Sequence, residues 1–135
     1  ERLDQNIASR QANFERQCKF FDNYPDYFSN PQETHGCNTA WLAFPILIKE
    51  GTPFTRKEFQ IFLEKRNIQT RVVFTGNILR QPMCQNISKR VLEEGYPNAD
   101  RVMARGVLLP LHHGMTESMF SRFHATVHKF IEQYD

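Results

Sequence analysis

Apolar residues recur along the chain with two different periods, and the changes of period divide it into elements. Leu3, Ile7, Phe14, Cys18 and Phe21 are spaced by three, four or seven positions and share one helical face, which predicts a long amphipathic helix. It should end near residues 23–25, because Pro25 cannot continue a helix and disfavours helical geometry at Tyr24. Residues 29–39 read as a polar loop. Trp41, Leu42, Phe44, Ile46, Leu47 and Ile48 then form a dense apolar segment, too short for a buried helix and too continuous for a one-sided surface strand. It is predicted to be the central strand, with Pro45 marking an edge or a bulge.

Thr55, followed three residues later by Glu58, is a capping box, and Phe54 and Phe59 stand at the two positions of a hydrophobic staple. A helix over 56–66 follows, burying Phe59, Phe62 and Leu63, with Asn67 as a left-handed terminator. Residues 70–74 are rich in β-branched side chains and predict a second strand, and 89–92 a weaker third. Between them, 75–86 is irregular. Asn98 is expected to cap a short helix through Ala104 that Gly106 ends, before a fourth strand over 107–111. Thr116 caps the last helix, stapled by Met115 and Phe120, with Met119, Phe123, Val127, Phe130 and Tyr134 as its apolar stripe to the end of the chain.

The fold class that follows is α+β: a small antiparallel or mixed sheet of about four strands, covered by helices mainly on one side, with long N-terminal and C-terminal helices. A chain of 135 residues, 40% of them hydrophobic and twelve of them Phe, suits one domain with an aromatic core. Residues 1–28 read as a connecting helix, and 40–135 as the sheet-and-helix layer.

Charge changes the picture by exclusion. The 17 basic and 15 acidic side chains are mixed and sum to +2, which argues against a dedicated nucleic-acid binder and leaves anion recognition to individual arginines. Cys18, Cys37 and Cys84 are odd in number and form no CxxC pair, so a reducing, cytoplasmic setting is expected. No apolar run approaches the roughly 20 residues of a membrane span. The first residues lack a signal-peptide pattern and are expected to lie inside a helix, as in a piece cut from a longer protein.

No GxGxxG, Walker, HExxH or GxSxG signature occurs, and no catalytic residue is assigned. His124 and His128, four apart, read as boundary histidines rather than metal ligands, since no Cys or acidic cluster converges with them. His112 and His113, after a strand, favour a surface loop. The stretch 67–82 is the dense one: Arg71 and Arg80 offer planar forks suited to phosphate or carboxylate, and Asn77 an amide suited to sugar hydroxyls. Surface ion pairing is the competing account of both arginines.

Trp41-Leu42-Ala43-Phe44-Pro45, Ile68-Gln69-Thr70-Arg71, Gly76-Asn77-Ile78-Leu79-Arg80-Gln81-Pro82 and Pro97-Asn98-Ala99-Asp100-Arg101-Val102-Met103 together resemble the DegT/DnrJ/EryC1/StrS sugar aminotransferase family. Within it they are most similar to the CDP-4-keto-6-deoxyglucose 3-dehydrase branch of lipopolysaccharide biosynthesis. The run 76–82 is the most specific, and the likeness extends over essentially the whole chain. It implies the C-terminal small domain of a fold type I pyridoxal-phosphate (PLP) enzyme, closing over a nucleotide-linked sugar. PLP or its amine form PMP would be held mainly by a large domain upstream, and none is expected on this chain alone. The chemistry implied is proton removal from a keto-sugar with PLP as electron sink, followed by loss of a C3 hydroxyl or, in aminotransferases, amino-group transfer. The partners implied are the chain's own large domain and a second subunit as homodimer. Arg71, Asn77, Arg80 and Arg101 are the residues expected to face substrate or cofactor phosphate, with Phe44 as an apolar wall. The cysteines lack ferredoxin-like spacing, so no iron–sulfur cluster is assigned here.

A different class remains as the alternative. Strand-helix-strand-strand-helix-strand over 41–111 is also the order of ferredoxin-like binding modules for RNA or protein, although neither 71–74 nor 89–92 carries the aromatic RNA-binding signature.

Overall fold

A computed structural model describes residues 2–134; Glu1 and Asp135 lie outside the described residues. Four helices, α1 (Leu3–Phe21), α2 (Arg56–Glu64), α3 (Pro97–Arg105) and α4 (Glu117–Ile131), accompany a sheet of four strands, β1 (Phe28–Ser29), β2 (Phe44–Ile48), β3 (Arg71–Val72) and β4 (Gly106–Leu109), and α1, α2 and α4 cover one of its faces. The strand order is β1-β2-β4-β3 and every pairing is antiparallel, which resolves the antiparallel-or-mixed expectation.

Local chemistry explains the helix ends. Thr55 and Glu58 close the predicted capping box, Glu58 N donating to Thr55 Oγ1 (3.2 Å) and Thr55 N to Glu58 Oε2 (2.7 Å). Asn67 adopts φ 57°, the left-handed geometry expected of a terminator. Thr116 Oγ1 accepts from Met119 N at the start of α4. One expectation fails around α3. Asn98 is not its cap: the helix starts from Tyr96 with Pro97 at its first position, where a missing N–H costs nothing. Gly106 does end the helix, though not through a left-handed turn. Gly106 is extended (φ −78°), and a Cβ there would lie 2.7 Å from the Val102 carbonyl oxygen and 2.8 Å from Val73 Cγ2.

The third predicted strand is absent. Residues 89–92 join no strand and are exposed. The ferredoxin-like order thereby loses one of its four strands. In its place the sheet gains β1, at the junction of the expected connecting helix (1–28) and loop (29–39), whose Phe28 and Ser29 pair with Ile48 and Leu47. Pro45 is accommodated by that shortness. Lys49 N donates to Tyr27 O on the β1 side (2.9 Å), so the ring nitrogen of Pro45, four residues back in the same pleat, points where β1 has already ended.

Alternation sorts the side chains. Phe44, Ile46 and Ile48 of β2 and Val107 and Leu109 of β4 are buried on one face. Against it pack Phe21 of α1, Phe59 and Leu63 of α2, and Phe123, Val127 and Phe130 of α4. Phe21 stacks on Phe44 (5.5 Å between centroids), and Phe54 and Phe59 both meet Phe130. Burial of each such ring contributes about 1.5–3 kcal/mol. The opposite face carries Pro45, Leu47, Leu108 and Arg71, half-buried or exposed. No helix among the described residues is long and apolar enough to cross a membrane.

Candidate functional site

The predicted site residues separate into three environments. Phe44 is fully buried, packed against Phe14 and Phe21, and cannot form a wall for a ligand. The reason is strand alternation, which turns Phe44 into the core while its neighbour Pro45 lies on the open face.

Asn77, Arg80 and Asp100 form a clamp. The Arg80 guanidinium meets the Asp100 carboxylate through two hydrogen bonds, Nε to Oδ1 at 3.0 Å and Nη2 to Oδ2 at 2.9 Å, and Asn77 Nδ2 donates to Oδ1 at 2.8 Å. Asn77, a buried polar residue, also uses its own Oδ1 to accept from Leu79 N (3.0 Å), capping the 3₁₀ turn Ile78–Arg80. Arg80 and Asn77 together hold the Asp100 carboxyl down at about 2, below the usual carboxylate range. Gly76 makes the clamp geometrically feasible: at φ 64°, a Cβ on it would lie 2.3 Å from Met103 Cβ. Asp100, which sequence reasoning did not place in the site, is therefore the residue that ties the 76–82 signature to α3. Its only signal was position, the first turn of a helix that itself belongs to the family motif.

Arg71 and Arg101, both exposed, lie outside the clamp. Arg101 donates to Asn98 Oδ1 (2.9 Å) on its own helix. Arg71 pairs in register with Leu108 and lines a cleft of about 370 Å³ on the open sheet face, together with Leu42, Gln69, Leu108, Pro110 and His112. No carboxylate of the described residues pairs with it, whereas Arg16, Arg80 and Arg105 each have one. A planar guanidinium on an apolar floor, without a counter-ion, is suited to a carboxylate or phosphate.

His124 and His128 make contacts within the fold. His124 Nε2 lies 2.9 Å from Gln17 Oε1, and its ring stacks on Phe20 at 3.9 Å. Burial first, and then the nearby Arg16 charge, lower its pKa to about 4. His128 Nδ1 meets the Tyr24 hydroxyl at 2.9 Å. Among the described residues no group of three or more His, Cys, Asp or Glu could hold a metal ion.

The described residues thus combine an antiparallel sheet with one open face, the Asn77–Asp100–Arg80 clamp and an exposed Arg71. The model of the DegT/DnrJ/EryC1/StrS aminotransferase family matches residues 1–128, and the chain belongs to that family. It is 32% identical over 116 residues to the lipopolysaccharide biosynthesis protein RfbH of Salmonella typhimurium, covering 86% of this chain and 26% of RfbH. It is 29% identical over 124 residues to the dTDP-4-dehydro-2,6-dideoxy-D-glucose 3-dehydratase of Saccharopolyspora spinosa, covering 92% of this chain and 26% of that protein. Among solved structures, a GDP-4-keto-6-deoxymannose-3-dehydratase with a trapped PLP-glutamate geminal diamine superposes with a TM-score of 0.77 at 25% identity, covering 91% of this chain and 32% of that one. The chain thus spans about a quarter of the length of the curated relatives it matches.

The donor set does not fit a PLP site on this chain. A PLP-linking lysine is enclosed with the cofactor, but Lys19, Lys49, Lys57, Lys65, Lys89 and Lys129 are all exposed.

Proposed function

We propose that this chain is the C-terminal small domain of a cytoplasmic PLP- or PMP-dependent enzyme acting on a nucleotide-linked keto-deoxysugar, a 3-dehydrase or an aminotransferase. In that protein it closes over a substrate and cofactor held chiefly by a large domain, within a homodimer. The observation that carries the reading is the family match over residues 1–128 combined with a coverage of about a quarter of the relatives' length. The exposed lysines support the same division of labour, since they leave covalent chemistry to the rest of the protein.

Within this reading the arginines differ. Arg71, free of carboxylates on the open face, is the contact to the anionic substrate; Arg80 and Asn77 act through Asp100 to hold the loop in shape; Arg101, tied to Asn98 on its own helix, is a second candidate contact.

The test is steady-state kinetics on the full-length enzyme with a nucleotide-linked 4-keto-deoxysugar. A full-length protein with neither turnover nor PLP absorbance would overturn the reading. Replacing Arg71 by Ala removes a charge-assisted contact of about 1.5–3 kcal/mol, which lowers kcat/KM on the order of tenfold to a hundredfold at unchanged melting temperature. Lysine restores little, because an ammonium cannot reproduce the planar fork. Unchanged kcat/KM in Arg71→Ala would remove this residue from the site.

A further inference from the structure

A second cleft, of about 350 Å³, lies beyond the end of β3, where Val72, Phe74 and Thr75 face Arg56 of α2 and Met103 of α3. Phe74 is its anomaly. The residue adopts φ 47°, a left-handed geometry that is a genuine outlier for a bulky side chain, and its ring is 86% exposed. Neither property is explained by folding: a glycine would hold the turn with less strain, and a polar residue would face water more favourably.

The surrounding structure nevertheless enforces the conformation from both sides. Gly76 N donates to Val73 O (3.1 Å) across the turn, Gln81 Nε2 donates to Thr75 O (3.0 Å), and Gly76 sits flush on Met103. The Asn77–Asp100–Arg80 clamp follows immediately. A strained, over-determined backbone that holds an aromatic ring out in a cleft is an arrangement spent on a ligand rather than on stability. The cleft also supplies donors: Arg56 uses Nη1 on the Met103 carbonyl (2.9 Å), which fixes a guanidinium in the wall. A flat aromatic face beside a fixed guanidinium matches a flat, hydrogen-bonding ring.

Resting on the sugar-nucleotide reading above, we propose that Phe74 is the stacking platform for the nucleobase of the nucleotide-linked sugar, with Arg56 contacting the polar edge of the base. Phe74 follows Arg71 by three residues, in the turn that ends β3.

The test uses the full-length enzyme and calorimetric titration with CDP, GDP, UDP and dTDP. For the diphosphate that binds, Phe74→Gly is expected to weaken affinity by tenfold or more, and Phe74→Tyr to retain it. The melting temperature of Phe74→Gly should stay equal or rise, because glycine relieves the left-handed strain. Loss of affinity with a gain in stability is a combination that a purely structural Phe74 does not produce. Binding by the wild-type enzyme with equal affinity in Phe74→Gly would overturn the stacking role while leaving the sugar-nucleotide reading intact. Equal affinity accompanied by a changed association state would assign the ring to a protein contact instead. Failure of the wild-type enzyme to bind any of the four diphosphates would overturn both.

Discussion

Replacing Gly76 by Ala should cost far more than the same change at another left-handed glycine, and the difference measures the close approach of the 76–82 loop to α3. Gly76 and Gly95 have nearly the same backbone angle, φ 64° and 69°. A Cβ at Gly95 would meet nothing within 4 Å, so Gly95→Ala incurs only the left-handed penalty of about 1–2 kcal/mol. At Gly76 the added carbon would lie 2.3 Å from Met103 Cβ and 2.7 Å from its Cα, positions that a side-chain rotation cannot vacate. Overpacking of this kind adds about 1–3 kcal/mol. At about 4 °C per kcal/mol for a chain of this size, Gly76→Ala should melt about 4–12 °C below Gly95→Ala. Met103→Ala should not rescue it, because alanine retains both offending atoms. Thermal melts of the two single variants, with hydrogen exchange at Leu79 and Arg80, decide the matter. Equal melting points with unchanged amide protection would refute the account of Gly76 as the hinge of the clamp.

Two further outcomes follow from burial. His124 is held neutral in the fold at about 4, against an unfolded value of about 6.5, so its contribution to stability is complete above pH 6.5 and is lost as the pH falls through 4. Allowing for screening of a half-exposed ring, the loss is about 1–2 kcal/mol. Urea midpoints at pH 7 and pH 4 should therefore fall further for the wild type than for His124→Gln, and an equal fall would show that the ring is not buried as described. Of the three thiols, Cys37 is exposed and Cys84 buried, while partial burial, with Asp22 and Glu15 nearby, pushes Cys18 up to about 11. At pH 8 one equivalent of an aromatic disulfide reagent should react rapidly; fast reaction of a second would contradict the packing of α1.

What can be read along the chain is what is decided within a few residues. The Thr55–Glu58 box, the Thr116 cap, the Asn67 terminator and the helix stripes are satisfied by neighbours within a turn, so residue type and spacing determined them without reference to the rest of the fold. Family membership was legible for a related reason, since it rests on short runs of residues that keep their order.

The tertiary structure decided what depends on distant partners. β1 is two residues long, too short to show alternation, and exists because β2 offers Leu47 and Ile48 as partners. The expected strand over 89–92 has no such partner. Which face of β2 turns inward was set by the helices that cover it, with Phe14 and Phe21 of α1 on Phe44, and that placement buried Phe44 and left Arg71 on the open side. Asp100 recruits Arg80 from 20 residues away and Asn77 from 23, converting two candidate ligand contacts into a clamp. The strain at Phe74 was equally hidden, because local preference opposes a left-handed phenylalanine and only the packing of Gly76 on Met103, with the hydrogen bonds around the turn, imposes it.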